Sequence, residues 1–445
     1  VVRASAAAPL GLRAVGAGRE AAGHAWTRVR DRGLAPSGSV WTRLRGHALA
    51  ATPVDVFDAD AAIAATLADL SAIAPDGAAP SGLYAQQGDA IAPLARFRAR
   101  PGAVRVFRAW ATRGGRYLAG PDVGVDVVGG VAQPPEAHTG DIDAVFTWVD
   151  GSDPAWQERK RRRLEGPGGA PRHETAANDA RFAQIDELRY ALRAVARYAP
   201  WLRRVYLVTD GQRPPWLAEE FPEVTLVRHD EIFSDPAALP TFNSHAIESR
   251  LHHIPGLAER YLYLNDDFFL GRYARPADYF TADGKPRVFL TEEAIPDTAL
   301  AADDHPVVAA AKNNTAILQR LTGTRASHKL KHAPYAMLRS VALELEALAA
   351  EQFAATARSP FRSPTDVSAA SSLLPYYALA TGRAVAGEMS HFYADVASPE
   401  LRWRLPRLLE HRDADVICLN ATTAPTRRAS AIHAFLEAYF PPLEA

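Results

Sequence analysis

Residues 261–270 read Tyr-Leu-Tyr-Leu-Asn-Asp-Asp-Phe-Phe-Leu. Tyr261–Leu264 is apolar without alternation, the pattern of a strand buried on both faces. It stops on an amide and two carboxylates, and core-type sequence resumes at Phe268. A polar turn bracketed in this way belongs at the carboxyl end of a buried strand, where open α/β sheets bind ligands. Upstream, Ile142–Val149 (IDAVFTWV) repeats the pattern and runs into Asp150 and Asp153. Arg204–Val208 repeats it again and ends at Thr209-Asp210-Gly211, and Val224–Val227 is a further short run. Asp186–Tyr198 has Leu188, Leu192 and Val195 on one helical face. Ala246–His253 reads as a short helix with Ser244 as N-cap and Pro255 as its stop. Strands alternating with helices predict an α/β fold with a mostly parallel sheet covered on both faces. Helical additions are expected over Lys329–Phe353, Asp366–Thr381 and Ala431–Tyr439.

Residues 1–139 differ, being rich in Ala, Gly and Arg. Asp60–Ala74 reads as an amphipathic helix. Val104–Ala111 and Tyr117–Val128 around Gly114-Gly115 read as a β-hairpin. Gly129-Gly130 and Gln133-Pro134-Pro135 read as a linker. The expected division is a small α+β accessory region over 1–139 and a catalytic domain over 140–445.

Composition narrows the function. Of 445 residues, 48% are hydrophobic and 23% charged, so a packed core is affordable and general disorder is excluded. The 50 basic and 51 acidic residues leave a net charge of -1, which argues against bulk nucleic-acid binding. Cys418 is the one cysteine, excluding an internal disulfide and any multi-cysteine zinc or iron–sulfur site. No stretch approaches the roughly 18 apolar residues of a membrane span. Val1-Val2-Arg3-Ala4 lacks the layout of a secretory leader, so a cytoplasmic protein is expected.

Several clusters can carry chemistry. Adjacent Asp266 and Asp267, with Asn265, can hold a hard divalent cation against a diphosphate, or be a solvated turn. Trp148 can stack on a base, and Gly151 can let backbone approach a ligand, while Asp153 can instead make an Asx-type bond before Pro154. The run Arg159-Lys160-Arg161-Arg162-Arg163 reads first as a solvated helix face. Arg189 and Arg193, four apart on one helix face, can clamp a diphosphate or pair with Asp186 and Glu187 on the surface. Asn243 and Ser244 lie in a polar loop before a helix N-terminus, where anions are favoured. Glu248, in the first turn, can serve the helix dipole or act as ligand or base. His332 can act as general acid or base and Arg362 can hold phosphoryl oxygens, although spacing alone does not join them to Asp267.

Together these strings resemble the Stealth family of sugar-phosphate transferases, which includes bacterial capsular polysaccharide enzymes and the animal GlcNAc-1-phosphotransferase. The resemblance runs in order through IDAVFTWVDGSDPAW at 142–156, then DELRYALRAV, APWLRRVYLVTDGQRPPWL, LPTFNSHAIESRLHHIPGL and YLYLNDDFF within 184–272. It continues in HKLKHAPYAMLRS and FRSPTD at 328–366, and in VICLN at 416–420. It implies a Rossmann-like, glycosyltransferase-A-like sheet. It also implies transfer of a sugar-1-phosphate from a nucleotide diphosphate sugar to a hydroxyl, with release of a nucleoside monophosphate. Glu248, Asp267, His332 and Arg362 stand where the family's motifs place active-site residues, with Asp266 in the metal motif. Trp148, Asp150 and Asp153 stand in the block expected to contact the nucleotide.

The implied cofactor is Mg²⁺ or Mn²⁺. The implied partners are a nucleotide sugar, with UDP-GlcNAc as the family-weighted donor, and a polysaccharide acceptor, with peripheral membrane docking left open. In VICLN the family's usual Asp after Asn420 is replaced by Ala421, and Asp415 is a candidate substitute for the missing acid. Two rivals are an inverting glycosyltransferase releasing a nucleoside diphosphate and a non-catalytic sugar-nucleotide binder.

Overall fold

The computed structural model describes the strands lying between residues 78 and 133, and residues 140–166, 182, 185–301, 304–420 and 429–443. The chain divides into two units, Val1–Pro135 and Glu136–Ala445. In the first, five strands form an antiparallel sheet in the order Ala90–Pro93, Ala78–Gln87, Gly102–Thr112, Tyr117–Val128, Val131–Gln133. The expected hairpin is its pair Gly102–Thr112 and Tyr117–Val128. The expected helix Asp60–Ala74 lies outside the described residues.

The second unit is built on a five-stranded sheet in the order Tyr335–Leu338, Arg260–Asn265, Ile142–Thr147, Val205–Thr209, Thr225–Arg228. The last four are mutually parallel and Tyr335–Leu338 is antiparallel to its neighbour. Register sets Ile142 opposite Arg260 and Thr147 opposite Asn265, so both strands stop at the same level. Ala144, Val145 and Phe146 have no exposed surface, as a central strand covered on both faces requires. Asp143 is buried among them. It is neutralised by Arg203 at 2.6 Å and takes the Ala258 backbone N–H, which removes the cost of an unpaired buried charge.

Helix Glu187–Tyr198 covers one face, burying Leu188, Leu192 and Val195 as its periodicity predicts. It packs against the strand Phe268–Leu270. Each such side chain contributes about 1.5–3 kcal/mol on burial. Phe268–Leu270 begins a second, three-stranded sheet: it pairs antiparallel with Val416–Asn420, which pairs in parallel with His391–Asp395. The closing helix is Ala429–Tyr439.

Two helical expectations are corrected. Lys329–Phe353 contains strand Tyr335–Leu338 before its helix begins at Arg339, because the apolar Tyr-Ala-Met-Leu run is claimed by the exposed edge of Arg260–Asn265. Ala246–His253 is two pieces, the α-helix Ser244–Glu248 and the 3₁₀ turn Leu251–His253. Among the described residues, no helix is long and apolar enough to cross a membrane.

Candidate active site

The strands Ile142–Thr147 and Arg260–Asn265 end together, and one tyrosine ties the ends. The Tyr263 hydroxyl lies 3.2 Å from Thr147 Oγ1 and donates to Asn265 Oδ1 at 2.9 Å. Asp266 and Asp267 follow at once. Phe268 is in register with Cys418, and the Asp267 carbonyl accepts from the Leu419 N–H. That pairing sets the Cys418 thiol against the Asp267 carboxylate, Sγ to Oδ2 3.5 Å, with His332 Nδ1 4.0 Å from the same sulfur. The His332 ring lies between Phe268 and Tyr393, with centroids at 6.0 and 5.2 Å, and keeps one side open to solvent. His391 Nε2 donates to the His332 carbonyl at 2.8 Å and fixes its backbone.

The charges explain the titration behaviour. Burial, reinforced by the Asp266 charge, pushes Asp267 up to about 7. Packing around the His332 ring, with Lys329 nearby, holds its imidazole below the usual value, so it is neutral at physiological pH. Burial and the Asp267 charge push the Cys418 thiol well up, so it is a protonated donor and not a nucleophile.

Glu187 was not expected here. It opens its helix, is buried, and accepts the Ile185 N–H at 2.7 Å. Burial and then the Asp266 charge push it up to about 8. This corrects its reading as a surface partner for Arg189. The available signal was an acid on the apolar side of a strongly amphipathic helix, next to Leu188.

A second group is assembled from sequence more than a hundred residues apart. Asn243 Nδ2 donates to Asp366 Oδ2 at 2.8 Å and to the carbonyls of Ser359 and Phe361, while its Oδ1 takes the His245 N–H. Asn243 is therefore the N-cap of Ser244–Glu248, in place of Ser244. The Ser244 hydroxyl is used elsewhere, accepting from Arg362 Nη2 at 2.8 Å. Glu248 is buried and takes both the N–H and the hydroxyl of Ser371, at 3.2 and 2.8 Å. Its charge reaches Arg362, Tyr263 and Tyr335. Tyr335 feels Asp267 as well, which makes it the bridge between the two groups. Trp156, Phe242 and Phe361 pack together, with Trp156 and Phe242 at 5.1 Å and Phe242 stacked on Phe361 at 5.4 Å. One residue from each of three sequence blocks thus joins a common apolar cluster.

The loop after Ile142–Thr147 is knitted by Gln212, to which sequence reading gave no role. Gln212 accepts the Asp150 N–H at 3.0 Å and donates to the Asp150 carbonyl and to Asp153 Oδ2, both at 2.9 Å. Asp153 caps helix Pro154–Glu165 through the Ala155 N–H, and Asp150 turns back on Ser152. Trp148 is partly buried against the core. A Cβ on Gly151 would lie 2.2 Å from the Phe182 carbonyl oxygen, so the close approach this glycine permits is to Phe182 and not to a ligand.

The basic run lies on Pro154–Glu165. Arg161 and Arg162 pair with Glu158, Arg159 reaches across to Asp210 at 2.8 Å, and Lys160 is buried against Trp156 and Phe182. Arg189 is engaged by Glu220 and Asp186. Arg193 is buried between Glu220 and Glu437. Both guanidinium groups pair with carboxylates, the second of the two readings open to them, with Glu220 and Glu437 joining Asp186 in place of Glu187. Asp415 is corrected too: it pairs with Arg272 at 2.9 Å and takes the Ser390 N–H, at the opposite end of Val416–Asn420 from Asp267. Ala421 lies outside the described residues.

The donor chemistry at the strand ends fits a hard divalent cation. Asp266, Asp267 and Glu187 offer carboxylate oxygens; the Asp266 charge raises the proton affinity of both Asp267 and Glu187, and Asp267 adds to it at Glu187, because like charges are confined together. A dication at Asp266 and Asp267 would relieve that repulsion.

Family models match in three places: Stealth protein conserved region 1 at residues 140–168, region 2 at 181–288 and region 3 at 331–379. An exopolysaccharide phosphotransferase of Streptomyces coelicolor is 51% identical over 304 residues, covering 67% of this chain and 51% of that protein. Exopolysaccharide phosphotransferase CpsY of Mycobacterium tuberculosis is 43% identical over 310 residues, covering 68% of this chain and 57% of that protein. The chain spans about half the length of the curated relatives it matches. The crystal structure of mouse xyloside xylosyltransferase 1, apo form, aligns at a TM-score of 0.32 with 9% identity, over 64% of this chain and 100% of that one, too distant to bear on the fold. Regions 2 and 3 contain Glu248, Asp267, His332 and Arg362, the residues that the sheet ends and the Asn243–Asp366 link gather, and the chain belongs to the Stealth family.

Proposed function

We propose that this chain transfers a hexose-1-phosphate from a nucleotide diphosphate sugar to a hydroxyl of a polysaccharide acceptor, releasing a nucleoside monophosphate. The observation that carries the reading is the contact of the Cys418 thiol with both Asp267 and His332. It joins an acid at a strand end to a neutral imidazole open to solvent. The names of the relatives, exopolysaccharide phosphotransferases, agree with that chemistry. The proposed donor is UDP-GlcNAc, and the proposed cation is Mg²⁺ or Mn²⁺ held by Asp266 and Asp267.

The acceptor hydroxyl loses its proton to His332 as its oxygen attacks the phosphorus attached to the sugar. The bond from that phosphorus to the bridging oxygen breaks, and the nucleoside monophosphate departs. Arg362, steered by Ser244 and faced by Glu248, holds the equatorial oxygens of the transferring phosphoryl group. The cation supplies neutralisation of charge on the leaving phosphate. Phosphoryl transfer needs mainly positioning and charge stabilisation, which is what these residues offer. Trp148, Asp150 and Asp153 line the loop proposed to face the nucleotide.

Purified protein given UDP-GlcNAc labelled in the sugar, with an oligosaccharide acceptor, is expected to release UMP. Release of UDP would mean attack at the anomeric carbon and would replace this reading with an ordinary glycosyltransferase.

A further inference from the structure

The turn Leu251–His253 presents two consecutive imidazoles to one carboxylate on helix Arg339–Leu348. His252 Nε2 lies 2.6 Å from Glu346 Oε2, and His253 Nε2 lies 2.8 Å from the same oxygen. One ligand atom from each residue falls within 4.8 Å of the other two. Arg250 Nη1 holds the other carboxylate oxygen, Oε1, at 2.5 Å, which turns Oε2 towards the histidines. Arg339 Nε donates to the His252 carbonyl at 2.9 Å and fixes the turn beneath the rings. Such outer contacts orient ligands in metal sites.

The burial pattern suits an ion entering from one side. His252 is buried while His253 and Glu346 are half-exposed, leaving a path from solvent.

The position separates this group from the acids of the candidate active site. Leu338 is in register with Arg260, and the Arg339 N–H donates to the Glu259 carbonyl. The turn is therefore tied to the amino end of Arg260–Asn265, whereas Asp266 and Asp267 follow its carboxyl end. Six strand residues put about 20 Å between those ends.

We propose that His252, His253 and Glu346 form a second metal site, for a d-block dication of the zinc type, that clamps the 251–253 turn to helix Arg339–Leu348. Two imidazole nitrogens and one carboxylate oxygen with a fourth position open to water are a recognised zinc donor set. Ligand atoms about 2.0–2.1 Å from a tetrahedral ion stand about 3.3 Å apart, so the rings and carboxylate must separate by about 0.5–0.7 Å. Arg250 adds a like charge beside the ion, so micromolar affinity is expected.

The test uses the full chain freed of metal with a chelator. Zn²⁺ titrated by calorimetry is expected to bind at one equivalent and to raise the thermal midpoint. Co²⁺ is expected to give the strong visible bands of a tetrahedral nitrogen–oxygen site, which an all-carboxylate site would not give. Glu346→Gln and His253→Ala are expected to weaken Zn²⁺ binding at least about 10-fold, with Asp267→Asn leaving it unchanged. Folded wild-type protein without tetrahedral Co²⁺ bands would overturn the site. So would Zn²⁺ binding lost in Asp267→Asn but retained in Glu346→Gln. If the Glu346 and His253 variants do not fold, the wild-type Co²⁺ spectrum decides alone.

Discussion

Asp267 is a carboxylate that the fold encloses beside like charges, and this is costly. Burial and the Asp266 charge raise its proton affinity, and the charges of Asp266 and Asp267 act in turn on Glu187. Residues selected for stability alone would not be arranged so, whereas sites that bind a cation or a phosphate commonly are. Asp267→Asn keeps the shape and the Cys418 contact but removes the charge. Transfer activity is expected to fall about 10³-fold or more, a loss typical of removing a key electrostatic group. The thermal midpoint without added metal is expected to hold or rise, because the repulsion is relieved. A variant with near-wild-type product release would remove Asp267 from the reaction.

Among the elements, the short helix Ser244–Glu248 depends most on distant sequence. It is too short to persist by itself. Asn243 caps it and also grips Asp366 and two carbonyls of the 359–361 segment. Asn243→Ala removes the cap and leaves the buried Asp366 without that donor. A loss of about 2–3 kcal/mol is expected, summing a cap and a buried hydrogen bond to a charged group. Urea unfolding measures it, and a change below 0.5 kcal/mol (about the scatter of ordinary surface substitutions) would show that the link is dispensable. Glu248 and Arg362 are positioned through this link, so activity is expected to fall with it. Sequence reading named Asn243 and Ser244 as a ligand-facing loop but could not see the lock. The partner, Asp366, lies more than a hundred residues away, and no local periodicity encodes that contact. The four parallel strands were more accessible, since each is a short apolar run bounded by polar residues, whereas the edge strand Tyr335–Leu338 read as helix.

Across the whole molecule, pH stability reports on buried histidine. His229 begins the helical turn His229–Ile232 after the sheet's outer strand, and its Nδ1 has no hydrogen-bond partner. Burial pushes its imidazole down to about 4. The folded value lies below the ordinary 6.5, so the unfolded chain binds the proton more tightly. The stability from keeping this ring neutral is complete above about pH 6.5 and is lost as pH falls through about 4. The full swing is about 3 kcal/mol. Thermal midpoints measured from pH 7 to pH 4.5 are expected to fall more steeply for the wild type than for His229→Phe. Parallel slopes would show that His229 is not a source of acid sensitivity.

By itself the sequence determined the alternation of strands and helices over 140–445, the strand-end position of Asp266 and Asp267, and the ordered motifs of the family. Each is written in a short window, through hydrophobic period and the polar residues that stop a run. Only the tertiary structure decided that Cys418 would touch Asp267 and His332, that Glu187 would face inward, and that Arg189 and Arg193 would be spent on carboxylates. It also decided that Asp415 would be too far along its strand to stand in for a missing acid. Strand register and the packing of loops over the sheet ends set those contacts, and both depend on residues far apart in the chain.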